Sequence, residues 1–183
     1  FLSNSRNMLK EMILRDYNHP SVVMWGISNE SVMGFASKEA FDNAFEIMEK
    51  NFWVPCATLI IGLPGETEGD LELTIDLVEE LKSFKSLIVP LFLVSMGELK
   101  GKTESFNIKN MTPRQSELFL ACWEHNIDWG QTLMQEYFWT KNGVRGYGLR
   151  FLFSYASKEA RKLIRLCKEE YNCDLAAMIQ DDR

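Results

Sequence analysis

Two carboxylates that follow apolar runs are the residues of this sequence best suited to chemistry. Asn29 and Glu30 come directly after the β-branched run at residues 21–28, and Glu66 comes soon after the run at residues 57–61. Each run has the composition of a buried strand. Parallel strands joined by right-handed crossovers carry their following loops at one edge, so both carboxylates are expected there. The first chemistry to consider is therefore general acid/base catalysis.

The turn before Glu66 combines glycines with acidic residues. It contains Gly62, Leu63, Pro64 and Gly65, and it is followed by Glu66, Glu68 and Asp70. A glycine-rich turn that opens a helix can bind phosphate on its backbone N–H groups. The three carboxylates would repel a phosphate, and no Lys follows the glycines as a Walker motif requires. The pattern favours a ligand with hydroxyl or amine groups, or else a well-capped structural turn.

The elements that would position these residues alternate between strand and helix patterns. Strands are predicted near residues 22–27, 57–61 and 87–94, and Pro90 marks the last as an edge strand or a bulge. Helices are predicted at residues 5–17 and from Ser37, Thr67, Thr112 and Ser157, with capping boxes at Thr67 and Thr112. Loops are predicted at residues 95–110 and 142–148. Aromatic residues of the C-terminal helices are assigned to the core.

The length, charge and cysteine content of the chain limit the fold and function classes to which it can belong. A chain of 183 residues suggests one α/β domain, with a βαβαβ part at residues 1–111 and a helical extension at 112–183. Net charge is −6, so no electrostatic footprint for nucleic acid is visible. No apolar run is long enough to span a membrane. The four scattered cysteines predict reduced thiols in a cytoplasmic protein without a metal site. Phe1 at the start, with no signal pattern, suggests a fragment or an engineered chain, and exposed sheet edges suggest a homo-oligomer.

Several strings between residues 51 and 171 resemble the later part of a radical SAM barrel, especially the archaeal B12-associated type. They are NFWVPCATLI, IIGLPGET, LIVPLFLVSMG and CWEHN. The resemblance implies that the strand at 57–61 is the fifth of a TIM-type barrel and packs against S-adenosylmethionine. The implied contacts with this cofactor are Ile60, Gly62, Leu63, Pro64, Gly65 and Glu66. The C-x₃-C-x₂-C loop of that family is absent, so no iron–sulfur cluster is expected.

The string MLKEMILRDYNHPSVVMWGISNE at residues 8–30 resembles a different family, the family-two glycoside hydrolases. The resemblance implies that Glu30 is the general acid/base on the fourth barrel strand and that Asn29 contacts the sugar 2-hydroxyl. With Trp25 and Glu66 beside it, Glu30 is expected to have a raised pKa. Retaining hydrolysis also needs a second carboxylate about 5–5.5 Å away, which that family takes from its seventh strand. No match to that strand is evident.

Together the two resemblances imply a partial TIM-type barrel, recombined or designed, with strands equivalent to four, five and six. Its main predicted function is a part-barrel module without turnover, with a small molecule such as S-adenosylmethionine as a possible ligand. The alternative is a glycoside hydrolase-like fragment that uses Glu30. Whether the chain is an enzyme stays open at this point.

Overall fold

Five α-helices and two strands form most of the described chain in this computed structural model, which describes residues 7–8, 10–11, 38–94, 106–136 and 143–181. They are α1 (Lys38–Lys50), β1 (Cys56–Ile61), α2 (Glu68–Glu80), β2 (Leu87–Phe92), α3 (Pro113–Met134), α4 (Gly143–Glu170) and α5 (Leu175–Asp181). Short 3₁₀ turns lie at Leu81–Ser83 and Ile108–Asn110. Residues 7–8 and 10–11 are helical, in agreement with the helix predicted at 5–17. The fold class is thus α/β and mostly helical.

The two strands pair in parallel, and α2 connects them. Their register runs without a bulge from Cys56 opposite Leu87 to Ile61 opposite Phe92. The strands predicted at 57–61 and 87–94 are therefore present, although β2 ends at Phe92. The strand predicted at 22–27 lies outside the described residues.

The outer edge of β2 is closed by a side chain of α3. Leu87 N–H donates to the Pro55 carbonyl just before β1, and Leu93 N–H donates to the Ile61 carbonyl at its end. The backbone groups of Ile88 and Pro90 therefore point away from β1. The Asn126 amide oxygen accepts from Ile88 N–H at 2.7 Å, and its Nδ2 donates to Ile88 C=O at 2.5 Å. Pro90 has no N–H to offer. Pro90 thus marks an edge, as predicted, and Asn126 takes the place of a neighbouring strand at Ile88.

Only one face of the two-stranded sheet carries the main hydrophobic core. Strand side chains alternate between faces, and the core face packs against residues of α1, α2 and α3. The core-facing strand residues are Ala57, Leu59, Ile61, Ile88 and Phe92. The opposite face is apolar and partly exposed to solvent, with Val89 and Leu91 about two-fifths exposed. Its members are Cys56, Thr58, Ile60, Leu87, Val89 and Leu91.

Both predicted capping boxes are present. Thr67 Oγ1 accepts from Asp70 N–H at 3.2 Å, and the Asp70 carboxylate accepts from Thr67 N–H at 3.0 Å. Thr112 and Gln115 exchange the same two bonds at the start of α3. These bonds satisfy backbone donors that the first helical turn leaves unpaired, and they involve only residues three apart.

The C-terminal helices depart from the prediction. Residues 142–148 were expected to form a loop and Ser157 to cap a helix, but α4 begins at Gly143, and Ser157 is buried in its middle. Gly146 is buried in the first turn of this helix, whereas Gly148 is exposed with open space around it. Helix α5 was not predicted. A second core cluster joins α3 and α4, with Leu175 and Met178 of α5 packed on it.

The assignment of the C-terminal aromatics to the core is wrong for several of them. Trp129 is partly buried, and its Nε1–H donates to the Lys82 carbonyl at 3.2 Å. Trp123 is 46% exposed. Three aromatics of α4, namely Tyr147, Phe151 and Tyr155, are exposed by 60% or more.

No described helix is both long enough and apolar enough to cross a membrane.

Candidate functional site

The turn after β1 is a tight four-residue turn. Glu66 N–H donates to the Leu63 carbonyl at 3.1 Å. Pro64 takes the second position and Gly65, with φ +82°, the third. This is the arrangement of a type II turn, in which the third residue needs a positive φ. Pro64 and Gly65 are exposed at its tip.

The carboxylate of Glu66 is held by hydrogen bonds from its own chain. Its Oε2 accepts from Gln115 Nε2 at 2.7 Å and from Gly62 N–H at 3.3 Å. Gln115 belongs to the capping box of α3, so Glu66 joins the turn to the start of that helix. Both hydrogen bonds are accepted by the same carboxylate oxygen, so they fix the position of the Glu66 side chain in the turn. Sequence spacing gave no sign of this partner 49 residues away.

Gly62 lies directly under an aromatic ring. Its φ is +88°, and a Cβ added there would overlap the ring of Phe106. Phe106 N–H also donates to the Leu93 carbonyl at 3.0 Å, which fixes the ring beside the end of β2. The ring contacts continue from Phe106 to Phe92 (centroids 5.6 Å apart), then to Phe119 (5.6 Å) and Trp123 (6.3 Å). The Phe106 ring thus fills the space above Gly62, and the other three rings extend from it.

The residues predicted to contact a cofactor do not share one surface. Ile60 lies on the partly exposed face of the sheet, whereas Gly62 lies beneath Phe106 and Glu66 is bonded to Gln115. Asp70, another acid of this turn, forms the capping box with Thr67. Hydrogen bonds from the side chain and backbone of Thr67 lower the pKa of Asp70. The turn therefore has well-defined structural contacts of its own.

Asn29 and Glu30 lie outside the described residues. The expected position of Glu30 near the turn, and its expected raised pKa, stay predictions. Among the described residues, no group of three or more His, Cys, Asp or Glu side chains is placed to hold a metal ion.

One buried polar pair was not anticipated. His125 Nε2 lies 2.9 Å from Ser86 Oγ and 3.2 Å from the Ser86 carbonyl, and the Ser86 hydroxyl donates to the Phe84 carbonyl at 3.1 Å. Both side chains are fully buried, so a substrate could not reach this Ser–His pair. Through these hydrogen bonds and those of Asn126, His125 connects α3 to the start of β2. The CWEHN string contains both residues, but their strand partners are about 38 positions away.

Comparison with known proteins gives one match. The family model for the glycosyl hydrolases family 2 TIM barrel domain matches residues 2–50, which include Asn29, Glu30 and α1. The match covers 49 of 183 residues (2 through 50), well under half of the chain. No curated protein and no solved structure matches the chain. The resemblance to the family-two glycoside hydrolases is thus supported and extends beyond residue 30, whereas the radical SAM resemblance finds no support.

Proposed function

We propose that the chain is a glycoside hydrolase-like protein in which Glu30 acts as the general acid/base. The observation that carries this proposal is the family 2 barrel match over residues 2–50, which contains Asn29-Glu30 directly after an apolar run. As an acid, Glu30 would give its proton to the glycosidic oxygen while the bond from that oxygen to the anomeric carbon breaks. As a base, it would then take a proton from the water that attacks the sugar. Asn29 would bind the sugar 2-hydroxyl.

This mechanism also requires a second carboxylate close to Glu30. Glu66 follows the neighbouring strand, and hydrogen bonds from Gln115 and Gly62 fix the position of its carboxylate. A nucleophile or a stabilising group must be a positioned carboxylate of this kind. Glu66 is therefore the candidate that we would test beside Glu30.

The test is hydrolysis of 4-nitrophenyl β-galactoside and β-glucuronide by the full chain and by Glu30→Gln. Loss of a general acid/base should lower the rate by roughly 10²–10⁴-fold. The loss should be smaller with 2,4-dinitrophenyl glycosides, because that leaving group needs less protonation. Glu49→Gln is the matched control, since Glu49 is exposed and lies in the same matched segment. Equal rates for the parent and Glu30→Gln would refute the proposal.

A second candidate is a part-barrel module that binds a small molecule without turnover. It is favoured by the apolar, partly exposed sheet face around Ile60, next to a turn whose polar groups are already bonded within the chain. S-adenosylmethionine is the ligand implied by the radical SAM resemblance. Calorimetric titration with this compound, using the parent and Ile60→Asp, distinguishes the two candidates. Saturable binding that Ile60→Asp abolishes, without hydrolysis of any glycoside, would favour the module.

A further inference from the structure

Helix α4 carries a solvent-facing stripe that the core does not use. Its inner face packs on α3 through Ala160, Ile164 and Cys167, and the Phe153 ring lies against Gly130. At about 100° per residue, six aromatic and basic residues fall within an arc of about 80° on the opposite side, and Glu169 follows them in the last turn of the helix. They are Tyr147, Phe151, Tyr155, Lys158, Lys162 and Arg165, and all six are exposed. We refer to this set as the α4 stripe.

The first half of the α4 stripe is aromatic. Tyr147 is 74% exposed, Phe151 72% and Tyr155 60%. They follow one another at intervals of four, so they lie one above the other along the helix. Single exposed apolar residues are common on protein surfaces, but three large aromatics in line form a contiguous patch of the kind found at interaction sites.

The second half of the α4 stripe is cationic. Among the described residues, Lys158 and Arg165 have no ion pair, and Lys162 pairs only with Glu159 of its own helix, at 2.8 Å. The cations beside the stripe behave differently. Arg161 binds Asp128 at 2.7 Å and Lys168 binds Glu124 at 2.8 Å, and both bonds join α4 to α3. The stripe cations are therefore available to an external partner.

The order of the two halves makes the α4 stripe complementary to itself. Intervals of four, four, three, four and three give the spacing of a helix–helix seam. Two copies of α4 laid antiparallel, with their centres between Tyr155 and Lys158, bring aromatic residues opposite cations. Tyr155 then faces Lys158, Phe151 faces Lys162, and Tyr147 lies within one residue of the position opposite Arg165. In a parallel arrangement, each aromatic would face an aromatic and each cation a cation, and the like charges would repel.

We propose that the α4 stripe is a homodimer interface, in which two copies of this chain pair antiparallel through α4. Because the dimer has two-fold symmetry, each aromatic–cation contact occurs two times in the interface. Lys and Arg side chains over Tyr and Phe rings are attracted by the negative face of the ring. Lys162 can contribute because its pair with Glu159 is exposed and such pairs hold a side chain weakly. This interface does not depend on Glu30 or on any catalytic activity.

An anionic lipid surface is the other partner that aromatic and cationic residues on one helix would suit. It requires both residue types but no particular order along the helix. The reciprocal match of three aromatics with three cations about one centre is specific to a second copy. Lipid binding is therefore treated as a competing outcome of the test.

The test is sedimentation equilibrium of the full chain from micromolar to millimolar concentration. The parent should show a monomer–dimer equilibrium. Phe151→Lys places Lys opposite Lys162 of the other copy and should weaken dimerisation by at least about tenfold. The double variant Phe151→Lys/Lys162→Phe restores an aromatic opposite a cation in the antiparallel register, so it should recover most of the lost affinity. Leu73→Lys is the matched control, because Leu73 is 62% exposed on α2 and lies off the stripe.

Three results would overturn the proposal. They are a parent that stays monomeric at every concentration, a Phe151→Lys variant that dimerises like the parent, and a double variant that fails to recover. Circular dichroism of each variant checks that α4 is retained, which is expected because both positions are exposed in the monomer. Co-sedimentation of a monomeric parent with phosphatidylserine-containing vesicles, but not with phosphatidylcholine vesicles, would assign the stripe to a lipid surface instead.

Discussion

At the scale of single residues, Gly62 and Gly65 require glycine for different reasons. Both have left-handed φ values, +88° and +82°. Gly65 has open space where a Cβ would stand, whereas Gly62 has the ring of Phe106 there. One position therefore needs glycine for its backbone alone, and the other needs it for its backbone and for close packing.

We expect Gly65→Ala to lower the free energy of unfolding by about 1 kcal/mol, the strain of a left-handed alanine. Gly62→Ala should cost about 3 kcal/mol, because steric overlap adds to the same strain. Urea denaturation of both variants measures the difference. In a Phe106→Ala background, the cost of Gly62→Ala should approach that of Gly65→Ala. An unchanged cost in that background would mean that Phe106 does not cover Gly62.

His125 is a buried imidazole with one unused nitrogen. The bonds around Ser86 fit the tautomer in which Nε2–H donates to Ser86 and the Ser86 hydroxyl donates to Phe84. Nδ1 then has no hydrogen-bond partner. Burial is the main cause that lowers the pKa of His125. Protonation would place a charge and an unpaired N–H in the core.

The stability of the protein should therefore fall in mild acid. In the unfolded chain, His125 binds a proton below about pH 6.5, while in the folded chain it stays neutral to a lower pH. The unfolded state then holds more protons, so the free energy of unfolding falls as pH drops, by at most about 1.4 kcal/mol per pH unit for one group. Denaturant unfolding between roughly pH 5 and 7 measures this slope.

His125→Gln keeps a donor toward Ser86 but cannot titrate, so it should flatten the slope. His19→Gln, which removes the other histidine of the chain, is the control and should leave it in place. A slope that follows His19 instead of His125 would contradict this account.

At the scale of elements, local signals predicted more than long-range ones. Both capping boxes and both described strands were predictable, because each depends on residues close together in sequence. Helix α4 was mispredicted because its glycines and Ser157 have the local preferences of loops and caps. The contacts of Ala160, Ile164 and Cys167 with α3 stabilise the later part of α4, beyond the stretch that these local preferences describe. The same limit applies to the candidate site, where Gln115 and Phe106 come from distant parts of the chain.

Asn126 makes the clearest contact between two elements, because its side chain takes the place of a neighbouring strand at Ile88. Asn126→Ala should lower the free energy of unfolding by about 2–4 kcal/mol, since it leaves the backbone N–H and C=O of Ile88 without partners. Gln131→Ala, at an exposed position of the same helix, should change it by less than about 0.5 kcal/mol. Equal effects of the two substitutions in urea denaturation would show that the edge of β2 is satisfied in some other way.

At the scale of the whole molecule, two hydrophobic clusters share helix α3. The first joins α3 to the strands, α1 and α2, and contains Cys122. The second joins α3 to α4 and contains Cys167. Cys56 and Cys173, in contrast, are only partly buried. The four free thiols therefore report separately on the two cores and on the surface.

We expect the disulfide reagent DTNB to label two thiols quickly and two slowly in the native protein. Cys122 and Cys167 are fully buried, and burial raises the pKa of Cys122 to about 12, so neither offers an accessible thiolate until the structure opens. Because both clusters depend on α3, the two slow thiols should react at similar rates and speed up together as urea is added. Cys122→Ser and Cys167→Ser should each remove one slow thiol, and Cys56→Ser one fast thiol. If Cys167 instead reacted much faster than Cys122, the α3–α4 cluster would open independently, and the helical part would be a separate folding unit.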